Sequence, residues 1–264
     1  MFKYKKCIVI LMILLASGCV SNPSKHKQTS TETTLAAAKN YKGLINYYRK
    51  KLKVTDSPSI RVKLAQAYLE YGDPSSSVFI ISPINNSKPT IPSLVVEAKA
   101  HLMLGDDRSA MYFASLANRI DKNNGEVENI LGIIYSNMGN YDKARHYFNL
   151  ARMHFYDEEK VTNNLVVLDI LQGDYSKAVK RIMPFYENGD ADEQMTANLT
   201  IAAAKSGDLR LVEKILAPKL SQKDISRLYF TIKSMKGISL AQAKHKNVSA
   251  HLSPKKKEVS DETS

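Results

Sequence analysis

Residues 131–151 read LGIIYSNMGNYDKARHYFNLA, and this stretch decides the fold. Its central glycine belongs to a series separated by 33, 34, 34 and 34 residues: Gly72, Gly105, Gly139, Gly173 and Gly207. A period of this length is typical of stacked two-helix units, in which each unit buries its apolar face against the next. Such stacks present a continuous surface to other proteins. The sequence therefore predicts an all-α solenoid.

Small and aromatic residues surround Gly139 at fixed distances. In order along the chain they are Leu131, Gly132, Tyr135, Tyr141, Ala144, Phe148 and Ala151. The small residues allow two helices to approach closely, while the aromatic rings fill the space between units. This spacing resembles the tetratricopeptide (TPR) helix pair. The resemblance implies an all-α TPR helix-pair solenoid of about five units with N- and C-terminal capping helices, rather than an unrelated helical bundle.

A capping residue follows each glycine of the series. We expect the glycine to end the first helix of its unit at positive φ, which glycine adopts without steric cost. The next side chain can then accept hydrogen bonds from the free amides that begin the second helix. The predicted caps are Asp73, Asp106, Asn140, Asp174 and Asp208.

Three prolines stand near the predicted ends of second helices: Pro83, Pro184 and Pro218. Proline has no amide hydrogen and disfavours the helical conformation of the residue before it. We therefore expect each proline to end or bend its helix. Simple helix termination is the first interpretation, and a functional hinge is the alternative.

The N-terminus has the composition of a secretory signal. Lys3, Lys5 and Lys6 precede an apolar run over residues 7–16, and polar residues follow soon after it. This run is shorter than the roughly 20 apolar residues of a membrane-spanning helix. We predict a signal peptide over residues 1–18.

The end of this segment, LASGC at residues 15–19, resembles a bacterial lipobox, although Ala16 stands where leucine is most common. The resemblance implies that Cys19 carries covalent diacylglycerol and an N-acyl chain, and we expect no other cofactor. Val20 stands where an aspartate would favour the inner membrane. By resemblance to enterobacterial lipoprotein sorting, this implies a lipid anchor at the periplasmic face of the outer membrane of a Gram-negative bacterium. An ordinary cleaved signal with a chance cysteine is the alternative.

Composition divides the mature chain into three parts. Residues 19–34 are mostly polar and are predicted to form a flexible tether after the lipidated cysteine. The TPR superhelical domain is expected over residues 35–236, opening with a helix over residues 35–52 and closing with a capping helix from residue 222. Residues 237–264 are rich in lysine and predicted to be disordered. A solvated tail is the first interpretation, and contact with anionic headgroups or peptidoglycan is the alternative.

The sequence contains no recognisable catalytic constellation, so we expect a protein that is not an enzyme and holds no metal. Gly-rich phosphate loops and the GxSxG and HExxH signatures are absent. We interpret His101, His146 and His154 as solvated or packing residues, because a zinc site needs three or four ligands. The formal net charge of +12 falls to +9 without the three lysines of the signal, and it is spread along the chain. We therefore expect no nucleic-acid partner.

The candidate site is the concave groove that the first helix of each pair lines in TPR proteins. Projected onto this sequence, it comprises Gln66, Lys99, Met103, Glu126, Asn129, Ile133, Asn137, Lys160, Asn163, Asn164, Val167, Ile170 and Asn198. Asparagine both donates and accepts hydrogen bonds, so a row of asparagines can pair with the backbone of a bound peptide. Exposed helix positions without a ligand are the alternative interpretation.

A narrower resemblance is carried by residues 161–165, VTNNL, and residues 171–175, LQGDY, together with the lipobox, the tether and the repeats. This arrangement looks like the TadD family, which are TPR lipoproteins of tight adherence (Tad, or Flp) pilus assembly systems. The resemblance implies a pilotin-like scaffold whose partners are other pilus assembly or secretin-type envelope proteins. A TPR adaptor for peptidoglycan hydrolases or for outer-membrane protein assembly is the alternative. The oligomeric state stays open between a monomer and a homodimer.

The lipid anchor can be tested at one residue. Replacing the thiol in Cys19→Ser removes the atom that would carry the diacylglycerol. We expect the variant to incorporate no labelled fatty acid and to leave the membrane fraction, since the remaining chain would have no stable anchor. Fatty-acid labelling and membrane fractionation measure the two effects, and persistence of both would refute the anchor.

Overall fold

Thirteen α helices and no strand make up the part of the chain that the computed structural model describes, residues 31–235. The helices are α1 (Thr31–Ala37), α2 (Tyr41–Val54), α3 (Pro58–Tyr71), α4 (Pro74–Asn85), α5 (Ile91–Met103), α6 (Asp107–Ile120), α7 (Gly125–Asn137), α8 (Tyr141–Met153), α9 (Glu158–Leu171), α10 (Tyr175–Asn188), α11 (Glu193–Ser206), α12 (Leu209–Leu216) and α13 (Gln222–Ser234). Among them, none has the length and apolar composition needed to cross a bilayer. The predicted signal peptide, Cys19, most of the tether and the lysine-rich tail lie outside the described residues.

The periodic glycines join the helices into five pairs: α3–α4, α5–α6, α7–α8, α9–α10 and α11–α12. All five glycines have positive φ, between 75° and 90°. In this left-handed conformation a side chain would be strained, which explains why glycine recurs at these positions. The predicted all-α helix-pair solenoid is confirmed.

Four of the five predicted caps form. The side chains of Asp73, Asp106, Asn140 and Asp208 each accept a hydrogen bond from the backbone amide three residues later. The prediction is wrong for Asp174, whose side chain makes no capping bond. Its backbone carbonyl instead accepts from the amides of Lys177 and Ala178, both at 3.0 Å.

The N-terminal cap of the solenoid is a degenerate sixth pair. The helix predicted over residues 35–52 is divided into α1 and α2, and α1 already begins at Thr31, so residues 31–34 are helical rather than part of a tether. Lys39 stands one period before Gly72 and has a positive φ of 50°. Asn40 then caps α2 by accepting from the amide of Gly43 at 2.9 Å. The turn is therefore repeated here without its glycine.

The helices form an inner and an outer layer. Successive first helices, α3, α5, α7, α9 and α11, contact one another along the stack, whereas the second helices are held mainly by the first helices on either side. The apolar core lies between the layers and continues from unit to unit. One cluster, for example, joins Ala144 and Phe148 of α8 to Val161 and Leu165 of α9. Because the layer with closer contacts is the inner one, the first helices line the concave face.

A C-terminal helix closes the stack, as predicted. Ile225 and Tyr229 of α13 are buried against Ala203 of α11 and Val212 of α12. The hydroxyl of Tyr229 donates to the carbonyl of Gly207 at 3.2 Å. This contact covers the apolar face that the fifth pair would otherwise expose.

Helix termination, the first interpretation of the prolines, is wrong for two of the three residues. Pro83 and Pro184 lie inside α4 and α10, whereas α12 does end before Pro218. Both internal prolines are exposed on the outer layer. Water can therefore satisfy the backbone carbonyl that each proline leaves without a helical partner.

A buried carboxylate, which the sequence analysis did not single out, connects three consecutive helices. Asp169 of α9 is fully buried, yet its oxygens lie 2.9 Å from a guanidinium nitrogen of Arg145 in α8 and 3.0 Å from Nε of Arg181 in α10. A buried charge is tolerated only when it is paired. These ion pairs therefore tie one unit to the next and also link the two helices of the α9–α10 pair.

Close packing at Gly132 gives a test of the core. A Cβ atom there would lie 2.5 Å from the buried ring of Phe148, so Gly132→Ala should lower the free energy of unfolding by about 1–3 kcal/mol despite alanine's better helix propensity. Chemical denaturation measures this change. The control is Gly43→Ala, whose added methyl would meet the movable end of Leu35 at 2.7 Å and the Asn40 side chain at 3.0 Å. An equal loss in both variants would contradict the packing argument.

Candidate functional site

The inner layer contains two cavities that together hold eight of the predicted groove residues. A cavity of about 300 Å³ is lined by Gln66, Lys99 and Glu126, among others. A second cavity of about 350 Å³ is lined by Asn129, Ile133, Lys160, Asn163 and Asn164, among others. The remaining predicted residues, Met103, Asn137, Val167, Ile170 and Asn198, line neither of these cavities. The predicted groove therefore divides into an N-terminal and a central cavity.

The N-terminal cavity has an apolar floor and a charged rim. Its floor is formed by Leu44, Tyr48, Val62, Ala67, Val95 and Val96. On the rim, Lys99 Nζ lies 2.5 Å from Glu126 Oε1, and Lys63 Nζ lies 2.7 Å from Glu32 Oε1 in α1. The charges on the rim are thus mostly paired with one another.

Tyr48 connects this floor to α1. Burial, followed by the neighbouring Glu32 carboxylate, raises the pKa of the Tyr48 hydroxyl well above its ordinary value. The hydroxyl therefore remains protonated and keeps its ability to donate a hydrogen bond. Tyr48 packs with Leu35 in the same apolar cluster, so the short helix α1 borders the cavity.

The central cavity is more polar and carries an acidic rim. Asp157, Glu159 and Asp192 contribute carboxylates, whereas Lys160 contributes a single ammonium group. Lys160 Nζ lies 2.9 Å from Asp157 Oδ2, and this hydrogen bond lowers the pKa of Asp157 and raises that of Lys160. The rim therefore retains an excess of negative charge at neutral pH.

The predicted asparagines bond to one another across units. Asn164 Nδ2 donates to Asn129 Oδ1 at 2.7 Å, and Asn198 Nδ2 donates to Asn163 Oδ1 at 2.8 Å. Each bond joins two successive first helices, α7 to α9 and α9 to α11, and we call this set the amide ladder. Each carboxamide can make further hydrogen bonds, because it has two N–H donors and a carbonyl oxygen with two lone pairs. The amide ladder therefore orients the groove asparagines and also occupies part of their hydrogen-bonding capacity.

Two further groove residues have structural contacts. Asn137 Nδ2 donates to Asp107 Oδ1 of α6 at 2.9 Å, and Ile170 packs against the apolar cluster shared by α9, α10, α11 and α12. Met103 has 52% of its surface exposed at the end of α5. The groove face is therefore a mixture of exposed positions and positions that hold the units together.

The histidines make packing and polar contacts. His101 stacks on Phe113, His146 packs edge-on against Tyr147, and His154 Nδ1 lies 2.7 Å from the buried Glu128 carboxylate. Within residues 31–235, no three His, Cys, Asp or Glu side chains are grouped so that they could hold a metal ion.

No protein-family model and no curated protein matches this chain. Solved structures do resemble its fold. The TPR protein TTC0263 from Thermus thermophilus matches over 76% of this chain and 95% of its own, with 17% identity and a TM-score of 0.53. A TPR protein from Parabacteroides merdae ATCC 43184 matches over 84% and 91%, with 12% identity and a TM-score of 0.57. A chain of the APC/C hetero-tetramer Cut9–Hcn1 matches over 84% and 45%, with 17% identity and a TM-score of 0.61.

These likenesses concern the fold alone, because the identities are low. Together with the five glycine-turned helix pairs they define the class of this protein, which is a TPR-type helix-pair solenoid.

The amide ladder can be tested at Asn164. In Asn164→Ala the carboxamide oxygen of Asn129, which is only 5% exposed, loses its donor. We expect the free energy of unfolding to fall by about 1–3 kcal/mol, the usual cost of an unsatisfied buried polar group.

Gln194→Ala serves as the matched control, because Gln194 lines the same cavity but is exposed. We expect its effect on the free energy of unfolding to stay within about 0.5 kcal/mol. Urea denaturation of both variants gives the comparison, and equal stability of the two would contradict a structural role for the amide ladder.

Proposed function

We propose that this protein is a membrane-tethered TPR scaffold that binds a segment of another envelope protein in its concave groove. The observation that carries this proposal is the pair of cavities on the inner layer, one with an apolar floor and one with convergent amides and carboxylates. Ligand sites commonly combine an apolar surface with a few polar groups that fix orientation. The amide ladder holds those polar groups in place before a ligand arrives.

The chemistry of the central cavity favours a particular kind of segment. Its acidic rim attracts lysine or arginine side chains, while the free capacity of Asn163 and Asn164 suits a peptide backbone or a side-chain amide. Ile133 provides an apolar contact beside them. The proposed ligand is therefore a basic or amide-rich segment with at least one apolar anchor.

The cellular setting of the proposal rests on the N-terminal sequence. A signal peptide over residues 1–18 and a lipidated Cys19 would hold the solenoid at the periplasmic face of the outer membrane. The residues between Cys19 and α1 would then separate the groove from the lipid. The partner is accordingly proposed to be an envelope protein rather than a cytoplasmic one.

The particular process that we propose is assembly of the tight adherence (Flp-type) pilus and its secretion apparatus. The residues that resemble the TadD family, 161–165 and 171–175, lie in α9 and in the turn that follows it. Asn163 and Asn164 of this stretch line the central cavity. A pilotin-like scaffold would use this surface to hold a secretin or another pilus protein during assembly.

Photo-crosslinking in cells tests the groove and the process together. A crosslinking residue at Gln194 should capture a secretin-type or pilus assembly protein, whereas one at the exposed Lys180 of the outer layer should not. A peptidoglycan hydrolase captured at Gln194 would favour the adaptor function and reject the pilus proposal. The same capture at both positions would reject the groove.

A pair of variants separates binding from folding. Glu159→Lys with Gln194→Lys makes the rim of the central cavity basic without breaking the amide ladder, and we expect it to reduce capture about tenfold or more. The matched control, Glu187→Lys with Asn149→Lys, changes the charge by the same amount on the outer layer. Because Gln194 is replaced in the first variant, capture is measured as the amount of the partner that co-purifies from detergent-solubilised envelopes, by quantitative immunoblotting. Equal yields for both variants would contradict electrostatic recognition at the rim.

A further inference from the structure

A third surface lies on the outer side of the solenoid, away from the groove. One face of α6 borders a cleft of about 590 Å³, to which α7 and α8 also contribute. From α6 the lining residues are Arg108, Met111, Tyr112, Ser115, Asn118 and Arg119. Their spacing places them along a single face of the helix. The opposite face of α6, with Ala110, Ala114 and Ala117, is buried in the core.

The charge of this outer cleft is entirely positive. No Asp or Glu lines it, and neither Arg108 nor Arg119 makes an ion pair or a side-chain hydrogen bond within residues 31–235. Lys143 Nζ lies 5.1 Å from the centre of the Tyr135 ring, which lines the cleft. Of the seven other arginines within residues 31–235, five form ion pairs with carboxylates, so the two unpaired guanidinium groups of the cleft favour an acidic ligand.

The floor of the outer cleft is apolar and aromatic. Leu131 is buried there, and Tyr135 stacks on Tyr147 with ring centres 5.4 Å apart. Tyr112 stands at the edge with 59% of its surface exposed. Aromatic and arginine side chains are the residues enriched at the centres of protein–protein interfaces. The cleft thus has the composition of a protein-docking surface.

We propose that the outer cleft docks an amphipathic helix of a partner protein that carries one carboxylate at each end of a three-turn apolar face. Arg108 and Arg119 are 11 residues apart on α6, which corresponds to about 16 Å along the helix axis. A partner helix that lies alongside α6 reaches both guanidinium groups with acidic residues at i and i+11, because these positions also share one face.

A helix fits this surface better than an extended strand does. The backbone of a helix is hydrogen-bonded internally, whereas an extended segment would need partners for every amide and carbonyl. Apart from the tyrosine hydroxyls and the two guanidinium groups, the cleft offers only Ser115 and Asn118 for that purpose. The apolar floor instead suits the anchor side chains that an amphipathic helix presents at i, i+3, i+4 and i+7.

The residues that α6 contributes to the outer cleft are not repeated in the following units. In the next two units the position of Arg108 is held by Asp142 and Ser176, and that of Tyr112 by His146 and Lys180. The arginine pair and the exposed tyrosine are therefore not a consequence of the repeat. This surface is also separate from the groove, so the two binding proposals can fail independently.

Selection from a helix library tests the proposed ligand. Displayed 15-residue helices carry Glu, Gln or Lys at positions 2 and 13 and varied apolar residues on the face between them. We expect selection on the full chain to enrich Glu at both positions. With Arg108→Glu and Arg119→Glu, we expect enrichment to shift to Lys. We also expect an acidic helix selected on the unchanged protein to bind this variant at least about tenfold more weakly, as measured by fluorescence anisotropy.

The matched control is Arg210→Glu with Lys219→Glu, which makes the same change of charge far from the cleft and should leave binding unchanged. If the double reversal lowers helicity or melting temperature, Arg108→Gln with Arg119→Gln replaces it with the same expected loss. No enrichment at positions 2 and 13, or equal weakening in the control, overturns the proposal. A different outcome also overturns the proposal: no helix is selected, the unchanged protein binds phosphatidylglycerol vesicles, and the double reversal abolishes that binding. The surface would then face a membrane.

Discussion

The turn between the two helices of a unit is the constraint on which the rest of the structure depends. A glycine at positive φ ends the first helix. The backbone amide of the next residue then donates to a carbonyl in the last turn of that helix, as the Asn140 amide does to the Tyr135 carbonyl at 2.9 Å. In most units the next side chain caps the second helix at once, so the turn has a fixed length. Because the turn repeats, every first helix returns to the same side of the stack. The inner layer, and with it the groove, follows from that repetition.

Polar contacts between units, together with the apolar packing, fix how the pairs are placed relative to one another. The amide ladder links three first helices, and Asp169 links α8, α9 and α10 through two arginines. Glu97 of α5 is also buried and accepts from Ser82 at 2.6 Å and from Asn85 at 2.5 Å, both in α4. A slip between units would leave these buried groups unsatisfied, at a cost of several kcal/mol for a charged group. The apolar core alone would distinguish less strongly between the native placement of two units and a placement shifted along the helix axes.

Local rules account for what could be predicted, and their failures have local explanations. The glycine turns and most caps were predictable because φ preferences and amide capping act within four residues. Helix termination was the wrong interpretation of Pro83 and Pro184, because the cost of proline in a helix depends on whether water reaches the freed carbonyl. The asparagines were assigned to the groove by position and residue type, and their role in binding stays a prediction. Their pairing was not, since it joins residues 35 apart on separate units.

The sequence by itself determined the order of the helices, the length of the repeat and the layer to which each helix belongs. Those properties come from short-range interactions that recur with every period. Only the tertiary structure decided which side-chain amides pair and which arginines form ion pairs with Asp169. It also placed Arg108 and Arg119, without ion-pair partners, beside an aromatic cleft. Those properties depend on the offset between successive units. Many long-range packing contacts set that offset jointly, and no single stretch of sequence encodes it.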